Sequence, residues 1–258
     1  MIQPAPHEKL TDKETEKPTI EIKGLCKSFG KNNQVLKGVN LSLRKGENVV
    51  VVGKSGSGKS ILIKCLVGLV KADEGEIHVF DTDISALDYK KLNEIRIRVG
   101  FLFQNSALYD SMTVRQNLEF PLKRHQKGIS QEELDNTLRE ALNDVGLADA
   151  IDKMPSELSG GMRKRIGLAR TLILKPEIML YDEPTTGLDT ITSREISELI
   201  LSIQKKNKTT AIIITHDMAC AKLTSDRIVI LRDGVIDAEG TYEELENSKD
   251  EWVRSFFQ

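Results

Sequence analysis

A glycine-rich loop at residues 53–60 has the composition of a phosphate-binding site. It follows an apolar run at residues 49–52, and its members are Gly53, Lys54, Ser55, Gly56, Ser57, Gly58, Lys59 and Ser60. Small glycines let backbone N–H groups turn towards phosphate oxygens, and the positive end of a following helix dipole faces the same anion. The pattern predicts a strand, a phosphate loop and a helix, with an ordinary glycine-rich turn as the alternative.

Two side chains at the end of this loop suit a nucleoside triphosphate. We expect Lys59 to reach the β and γ phosphates. Ser60 offers a hydroxyl group to Mg²⁺, a hard cation that prefers oxygen ligands and usually bridges nucleotide phosphates. The loop is therefore expected to bind a nucleotide together with Mg²⁺.

A pair of adjacent carboxylates, Asp182 and Glu183, follows a second apolar run at residues 178–181. Ligands of a parallel sheet lie beyond the carboxyl ends of its strands, so both side chains should face the crevice of the phosphate loop. We expect Asp182 to hold Mg²⁺ or its water, and Glu183 to accept a proton from the water that attacks the γ phosphorus. A solvated turn is the alternative interpretation of such a pair.

One histidine has a similar position in the chain. His216 follows the apolar run at residues 212–214 and Thr215, which places it at the rim of the same crevice. There it could hold the γ phosphate and orient the water, or it could simply bond to a neighbour. His7, His78 and His125 lack this context and are not assigned a role.

A second glycine-led helix start predicts a second anion site. It comprises Leu158, Ser159, Gly160, Gly161 and Met162. Since one nucleotide carries one triphosphate, either both loops fold onto it within a chain, or two chains exchange them across a two-fold axis. Most of the basic residues at 163–170 are interpreted as a solvated face.

Apolar periodicity predicts the elements that position these residues. We expect a β-rich entry from residue 20, a helix over about 59–69, and a helical region between residues 105 and 157. Ser130 and Glu133 form a capping pattern within that region, and Gly146 ends the helix. Strands alternating with helices after residue 178 predict a parallel α/β sheet, with a hairpin turn at residues 233–234.

Composition limits the function. The chain has 258 residues and a net charge of −2, which argues against a general nucleic-acid binder. Its three cysteines, Cys26, Cys65 and Cys220, have no CxxC spacing and suit a reducing compartment. No apolar run approaches the roughly 20 residues of a membrane span, and no signal peptide is expected. A membrane role would therefore need a partner.

Together these motifs resemble those of the ATP-binding subunits of ABC transporters, over nearly the whole chain from Thr19 onward. The resemblance implies an α/β fold with a P-loop NTPase (RecA-like) core, an N-terminal antiparallel β subdomain and an inserted α-helical subdomain at about residues 105–175. It implies one ATP-binding domain at residues 19–250, with a disordered tail at 1–18 and a C-terminal tail at 251–258. The implied ligands are ATP and Mg²⁺.

The resemblance also implies roles for residues in the first half of the chain. Phe29 is similar to the aromatic residue that stacks on adenine, where tyrosine is commoner. Residues 53–60 are similar to the Walker A loop. Gln104 is similar to the Q-loop glutamine, which implies a metal contact and a part in catalysis.

Further roles are implied in the second half. Asp182 and Glu183 are similar to the Walker B pair with the catalytic glutamate, Asp189 to the aspartate of the D-loop, and His216 to the switch histidine. Residues 158–162 are similar to the signature, although its fifth residue is usually Gln. The nucleotide contacts implied within the signature are Ser159, Gly160 and Gly161.

One branch of this family is especially similar. Met162 and the segments at 103–108, 110–114 and 181–192 are similar to the MlaF-type ATPase of lipid transporters that work with an MCE protein. This similarity implies a homodimer beneath two permease copies, on the cytoplasmic face of the inner or plasma membrane. An MCE-domain protein, a small regulatory subunit and a phospholipid cargo are implied with them.

An apolar region after Gln104 is expected to receive a cytoplasmic helix of the permease. Core packing is the alternative for each of its members, which are Phe101, Phe103, Leu108, Tyr109 and Met112.

Three other functions stay open at this point. A non-transport relative acting on ribosomes or DNA usually carries two cassettes or long coiled coils, and this chain has neither pattern. A regulatory or scaffold module in the membrane would bind nucleotide only to change shape. A P-loop kinase has no need of Ser159, Gly160 and Gly161 at a second helix start.

Overall fold

The computed structural model describes residues 17–30, 33–126 and 128–257. Residues 1–16, most of the expected N-terminal tail, lie outside this described part. The strands are β1 (Ile20–Ser28), β2 (Gln34–Leu43), β3 (Asn48–Val52), β4 (Glu74–Val79), β5 (Thr82–Asp83), β6 (Val99–Leu102), β7 (Ile178–Asp182), β8 (Thr210–Ile214), β9 (Arg227–Arg232) and β10 (Val235–Gly240). The helices are α1 (Lys59–Leu66), α2 (Tyr89–Ile97), α3 (Val114–His125), α4 (Gln131–Asp144), α5 (Gly160–Leu172), α6 (Thr190–Asn207), α7 (Met218–Thr224), α8 (Tyr242–Glu246) and α9 (Glu251–Arg254).

The first part of the chain forms an antiparallel sheet with the order β2-β1-β4-β5. Ile20 in β1 pairs with Leu43 on one side and with Val79 on the other, and all three are buried. This sheet is the expected β-rich entry, and the antiparallel N-terminal subdomain is confirmed.

A second sheet has the order β10-β9-β3-β8-β7-β6, in which the neighbours from β9 to β6 pair in parallel. Val50 in β3 pairs with Ile213 in β8, and Ile213 pairs in turn with Tyr181 in β7. The carboxyl ends of β3, β7 and β8 therefore meet at one edge. The expected hairpin turn joins β9 to β10 through Asp233 and Gly234, both with positive φ.

The parallel sheet is buried on both faces, because its strands are almost entirely apolar. In β3, Val49 and Val51 pack with the antiparallel sheet and α1, whereas Val50 and Val52 pack with residues of α5, α6 and α7. A separate apolar cluster joins α3, α4 and α5, which lie in the chain between β6 and β7. The α/β fold with helices inserted between two strands is thus confirmed.

Helix ends follow the local sequence signals. Ser130 and Glu133 form the capping box that begins α4. Helix α1 ends at Leu66 instead of near residue 69, and Gly68 takes a positive φ just beyond it. Among the residues that the structure describes, no helix combines the length and the apolar character needed to cross a membrane.

The C-terminal residues differ from expectation. A tail was expected from residue 251, but Glu251–Arg254 forms α9, and Val253 is buried in the apolar cluster that includes Ile230 of β9 and Leu245 of α8. Trp252 contacts Phe256 edge to face, with ring centroids 4.9 Å apart. Apolar side chains among charged neighbours give this short segment a packing face, so it belongs to the folded domain.

Candidate active site

A cleft of about 670 Å³ opens at the edge where β3, β7 and β8 end. It brings together the phosphate loop and residues from distant parts of the chain. The residues lining it are Phe29, Val35, Gly53, Ser55, Gly56, Gly58, Lys59, Ser60, Ile61, Gln104, Glu183, Thr186 and His216.

The phosphate loop is shaped by close backbone packing. A Cβ atom at Gly53 would lie 2.3 Å from the backbone oxygen of Leu231, so no larger residue fits there. Gly58 has a φ of 106° and is the N-cap of α1, where no side chain caps the first turn. The N–H groups of that turn stay available, and the positive end of the helix dipole lies beside the cleft.

Lys59 is buried at the base of this loop. Its Nζ donates hydrogen bonds to the backbone oxygens of Gly53 at 2.8 Å and Lys54 at 3.1 Å. Burial lowers the pKa of the Lys59 ammonium, and the carboxylates of Glu183 and Asp182 oppose that shift. A cation held against the loop carbonyls is well placed to exchange them for phosphate oxygens.

The oxygen atoms beside Lys59 fit a magnesium ion. Ser60 Oγ donates a hydrogen bond of 2.9 Å to Asp182 Oδ1, and Gln104 lines the same cleft. Within the described ranges, no set of three or more His, Cys, Asp or Glu side chains is arranged around a metal position. Such a sparse set of hard ligands suits Mg²⁺, which usually keeps several waters and binds substrate phosphates.

Glu183 is held at the start of the segment that follows β7. Its backbone has a φ of 52°, and its N–H donates to the Ile214 oxygen at 2.9 Å. Its Oε2 lies 2.7 Å from Nδ1 of His216 and accepts a hydrogen bond of 3.2 Å from Thr186 Oγ1. The Glu183 side chain is 14% exposed, whereas that of His216 is 68% exposed.

This arrangement joins a carboxylate and an imidazole beside the phosphate loop. A carboxylate at this position can accept a proton from water, and a histidine in contact with it can orient that water or a phosphate oxygen. The contacts of Glu183 do not match a solvated turn. His216 does bond to a neighbour, as its alternative interpretation expects, and that neighbour is the carboxylate of Glu183.

Phe29 lies at the mouth of the cleft. Its side chain is partly exposed, and the ammonium group of Lys27 lies 5.4 Å from the centroid of its ring. Asp73 Oδ1 and Oδ2 accept hydrogen bonds of 2.6 Å from Lys27 Nζ and from the Ser28 N–H, respectively. The aromatic face is thus presented where a base could stack.

The second glycine-led segment lies elsewhere. Ser159 is the exposed N-cap of α5, and its Oγ accepts a hydrogen bond from the Met162 N–H at 3.2 Å. A Cβ atom at Gly161 would lie 2.6 Å from Cγ2 of Thr192, and one at Gly160 would lie 3.3 Å from Leu188. These three residues do not line the cleft, so one chain does not bring both anion sites together.

Asp189 also lies outside the cleft lining. It is the N-cap of α6 and accepts hydrogen bonds from the Ile191 N–H, the Thr192 N–H and the Thr192 hydroxyl, the last at 2.6 Å. Asp189 therefore neighbours the segment of Ser159 and Gly161 through Thr192.

One residue of the site was missed at the level of sequence. Lys164, interpreted with its neighbours as part of a solvated face, is only 6% exposed. Its Nζ donates to the backbone oxygen of Gln104 and, at 3.2 Å, to that of Glu183. The spacing of Lys164 was a usable signal, because it lies three residues after Gly161 and four before Leu168, and both are buried.

Comparisons with known proteins identify related sequences and structures. A family profile described as "ABC transporter" matches residues 36–186. The probable ribonucleotide transport ATP-binding protein mkl of Mycobacterium leprae is 41% identical over 237 residues, which cover 92% of this chain and 68% of that protein. The methionine import ATP-binding protein MetN of Brucella abortus is 38% identical over 226 residues, covering 88% of this chain and 60% of that protein.

A solved structure shows the same fold. The dimeric post-hydrolysis state of the ATP-binding cassette MJ0796, bound to ADP and Pi, has a TM-score of 0.79 at 33% identity. The alignment covers 86% of this chain and 98% of that cassette. The curated relatives are longer, since the chain spans 60% to 68% of their length.

Proposed function

Because this chain belongs to the family of ABC transporter ATP-binding proteins, which hydrolyse ATP, we propose that it powers the movement of a phospholipid through a separate membrane permease. In this proposal, two copies of the chain close on two ATP molecules, hydrolyse them and reopen.

Hydrolysis depends on charged and polar groups that the folded chain already positions around the cleft before the nucleotide binds. Lys59 binds the β and γ phosphates, and the first turn of α1 adds its N–H groups. Ser60, Asp182 and Gln104 would hold Mg²⁺, whose charge would offset that of the phosphates. Glu183 accepts the proton of the attacking water, and His216, 2.7 Å from its carboxylate, orients the γ phosphate.

Dimerisation completes the cleft in this proposal. Ser159, Gly160 and Gly161 have the form of an anion site but lie outside the cleft of their own chain. A two-fold dimer places them against the γ phosphate held by the other copy, with Asp189 beside them. The related MJ0796 cassette was solved as a dimer, which supports the pairing of two copies.

The contact between Glu183 and His216 carries the proposal of hydrolysis. Glu183→Gln keeps the shape of the side chain but removes the base, so turnover should fall by about 10²- to 10⁴-fold. ATP binding should persist, and the closed dimer should accumulate. Turnover is measured by phosphate release, and dimerisation by size-exclusion chromatography with ATP.

A matched control for that substitution is Glu246→Gln, because Glu246 is exposed and far along the chain in α8. This variant should hydrolyse ATP at the wild-type rate. If Glu183→Gln did so too, the assignment of the base would be wrong.

The lipid cargo is proposed from Met162 and the segments at 103–108, 110–114 and 181–192. The names of the two relatives mention ribonucleotide and methionine transport, so the cargo needs its own test. The proposed partners are a permease, an MCE-domain lipid-binding protein and a small regulatory subunit at the cytoplasmic face of the membrane.

The permease is proposed to dock near the segment after Gln104. A groove of about 620 Å³ there is lined in part by Met112, Gln116 and Phe120. Tyr109 and Phe120 are partly exposed and contact each other, with ring centroids 5.2 Å apart. Aromatic side chains beside a groove suit an amphipathic helix.

The cargo and partners are tested by purifying the tagged chain from solubilised membranes and identifying what accompanies it. A permease with an MCE-domain protein, followed by lipid transfer in reconstituted vesicles, supports the proposal. A soluble binding protein for an amino acid or nucleotide would overturn the lipid assignment, and ribosomes or DNA would overturn transport.

A further inference from the structure

Helix α5 carries Lys164, a buried lysine whose ammonium group contacts two other segments of the site. Lys164 donates to the Gln104 oxygen, two residues after the end of β6, and to the Glu183 oxygen, one residue after the end of β7. Gln104 and Glu183 belong to different strand ends, and Lys164 is the side chain that bonds to both. Its helix begins at Ser159, the N-cap of the second glycine-led segment.

The segment after Gln104 is fastened to α5 at further points. Ser106 and Ala107 both have positive φ values, 61° and 48°, which are unfavourable for residues with a Cβ atom. Arg170 donates to the Ala107 oxygen. A Cβ atom at Gly167 would lie 2.8 Å from that of Ser106, so the helix approaches this turn as closely as glycine permits.

The charged group of Lys164 is satisfied by hydrogen bonds to the two segments that it joins. A buried ammonium group is costly unless it is hydrogen-bonded, and here two backbone oxygens accept from it. Burial lowers the pKa of Lys164, and the carboxylates of Glu183 and Asp182 oppose that shift. A neutral side chain of similar length would leave both carbonyl groups without this donor.

We propose that Lys164 is a positioning residue for hydrolysis. It fixes the positions of Gln104 and Glu183 relative to each other and to α5, the helix whose N-cap is Ser159. The inference rests on the roles proposed above for Gln104 and Glu183. When Ser159 binds the nucleotide of a second copy, α5 would move. The Lys164 ammonium group would transmit that movement to Gln104 and Glu183.

The test compares Lys164→Met, Lys164→Arg and the control Lys205→Met in the full-length chain. Lys205 is an exposed lysine in the last turn of α6. Because small misplacements of reacting groups can cost about 10²-fold, we expect Lys164→Met to lower kcat by about 10- to 100-fold. Its affinity for ATP should stay within about threefold of wild type, since no phosphate contact is lost.

Two further measurements separate positioning from general damage. Lys164→Arg restores a cation that can reach the carbonyl oxygens, and it should recover most of kcat. Combining Lys164→Met with Gln104→Ala should cost less than the product of the two single effects, because both act on one unit. If Lys164→Met does not fold, Lys164→Gln replaces it in the same comparison.

The outcomes distinguish this inference from the proposed function. If Lys164→Met or Lys164→Gln folds and matches wild type in kcat while Glu183→Gln is inactive, the positioning role is wrong and the proposed function stands. A loss that Lys164→Arg does not relieve, or one that multiplies fully with Gln104→Ala, also overturns the inference. If wild type itself does not hydrolyse ATP, the proposed function fails first.

Discussion

The two glycine-led helix starts differ in what surrounds them. The first turn of α1 has Gly58 as its N-cap and no side-chain cap, and it lies beside the cleft with Lys59. The first turn of α5 is capped by Ser159 and lies outside that cleft. The same local chemistry therefore occurs twice, once within a site of its own chain and once on an exposed surface, which the proposed function pairs with a second copy.

The largest effect on ATP turnover is expected from substitutions that disable each of the two glycine-led helix starts separately. Lys59→Met removes the cation that binds the phosphates, and Ser159→Arg blocks the exposed helix start. Each variant alone should lose at least about 10²-fold in turnover. Lys59→Met should also weaken ATP binding, whereas Ser159→Arg should leave the ATP affinity of the single chain nearly unchanged.

Mixing the Lys59→Met and Ser159→Arg variants tests whether the two helix starts that serve one nucleotide come from different chains. A mixed dimer would join an intact phosphate loop from one copy to an intact Ser159 from the other, so up to about a quarter of the wild-type turnover should return. Phosphate release is measured before and after mixing. If both starts served one chain, mixing would restore nothing.

A smaller effect is expected from adding a methyl group at each start. Gly53→Ala would meet the Leu231 backbone at 2.3 Å, whereas Gly161→Ala would meet the Thr192 side chain at 2.6 Å. Since backbone yields less easily than a side chain, Gly53→Ala should lower the free energy of unfolding by about 2–3 kcal/mol and Gly161→Ala by about 1 kcal/mol. Urea denaturation of the nucleotide-free chain measures both.

A second substitution sharpens this contrast. Thr192→Ser removes the methyl group that the new Cβ atom at position 161 would meet, so it should relieve most of the cost of Gly161→Ala. An equal cost with and without Thr192→Ser would show that the close contact at α5 does not limit this position.

The smallest effect concerns pH. Burial lowers the pKa of Lys59 in the folded state, so the unfolded chain binds more protons between the folded value and the ordinary value of 10.5. The free energy of unfolding of wild type, relative to Lys59→Met, should therefore rise as pH increases through that window. Below that pH window, the difference between the free energies of unfolding of wild type and Lys59→Met should be constant.

Denaturation of both proteins between pH 7 and pH 10 measures this difference. The exposed Lys54 of the same loop provides the control variant Lys54→Met. A relative stability that fell with rising pH would contradict the burial of the Lys59 ammonium in the folded chain.

The phosphate loop and the acidic pair could be predicted because their signals are local. An apolar run followed by glycines or carboxylates places those residues at the end of a strand, and such ends are where ligands bind in parallel sheets. The contact between Glu183 and His216 needed more. It depends on β7 and β8 being neighbours in the sheet, an order that neither strand encodes by itself.

Lys164 and the C-terminal helix show the limit of local patterns. Lys164 stands among basic residues that are typical of a solvated face, and only the packing of α5 against two loops buries it. Residues 251–257 contain four apolar side chains, but the segment is shorter than the window over which periodicity predicts a helix. They fold against the domain because Val253 packs into an apolar cluster that includes residues of β9 and α8.

The sequence by itself determined the types of chemistry available: a phosphate loop, a pair of carboxylates, a histidine and a second glycine-led helix start. These are properties of neighbouring residues, and short-range sterics and hydrogen bonding specify them. Only the tertiary structure decided which of them share a cleft, because that depends on strand order and on long-range packing. It placed Glu183 against His216, buried Lys164 between two loops and left Ser159 on the surface.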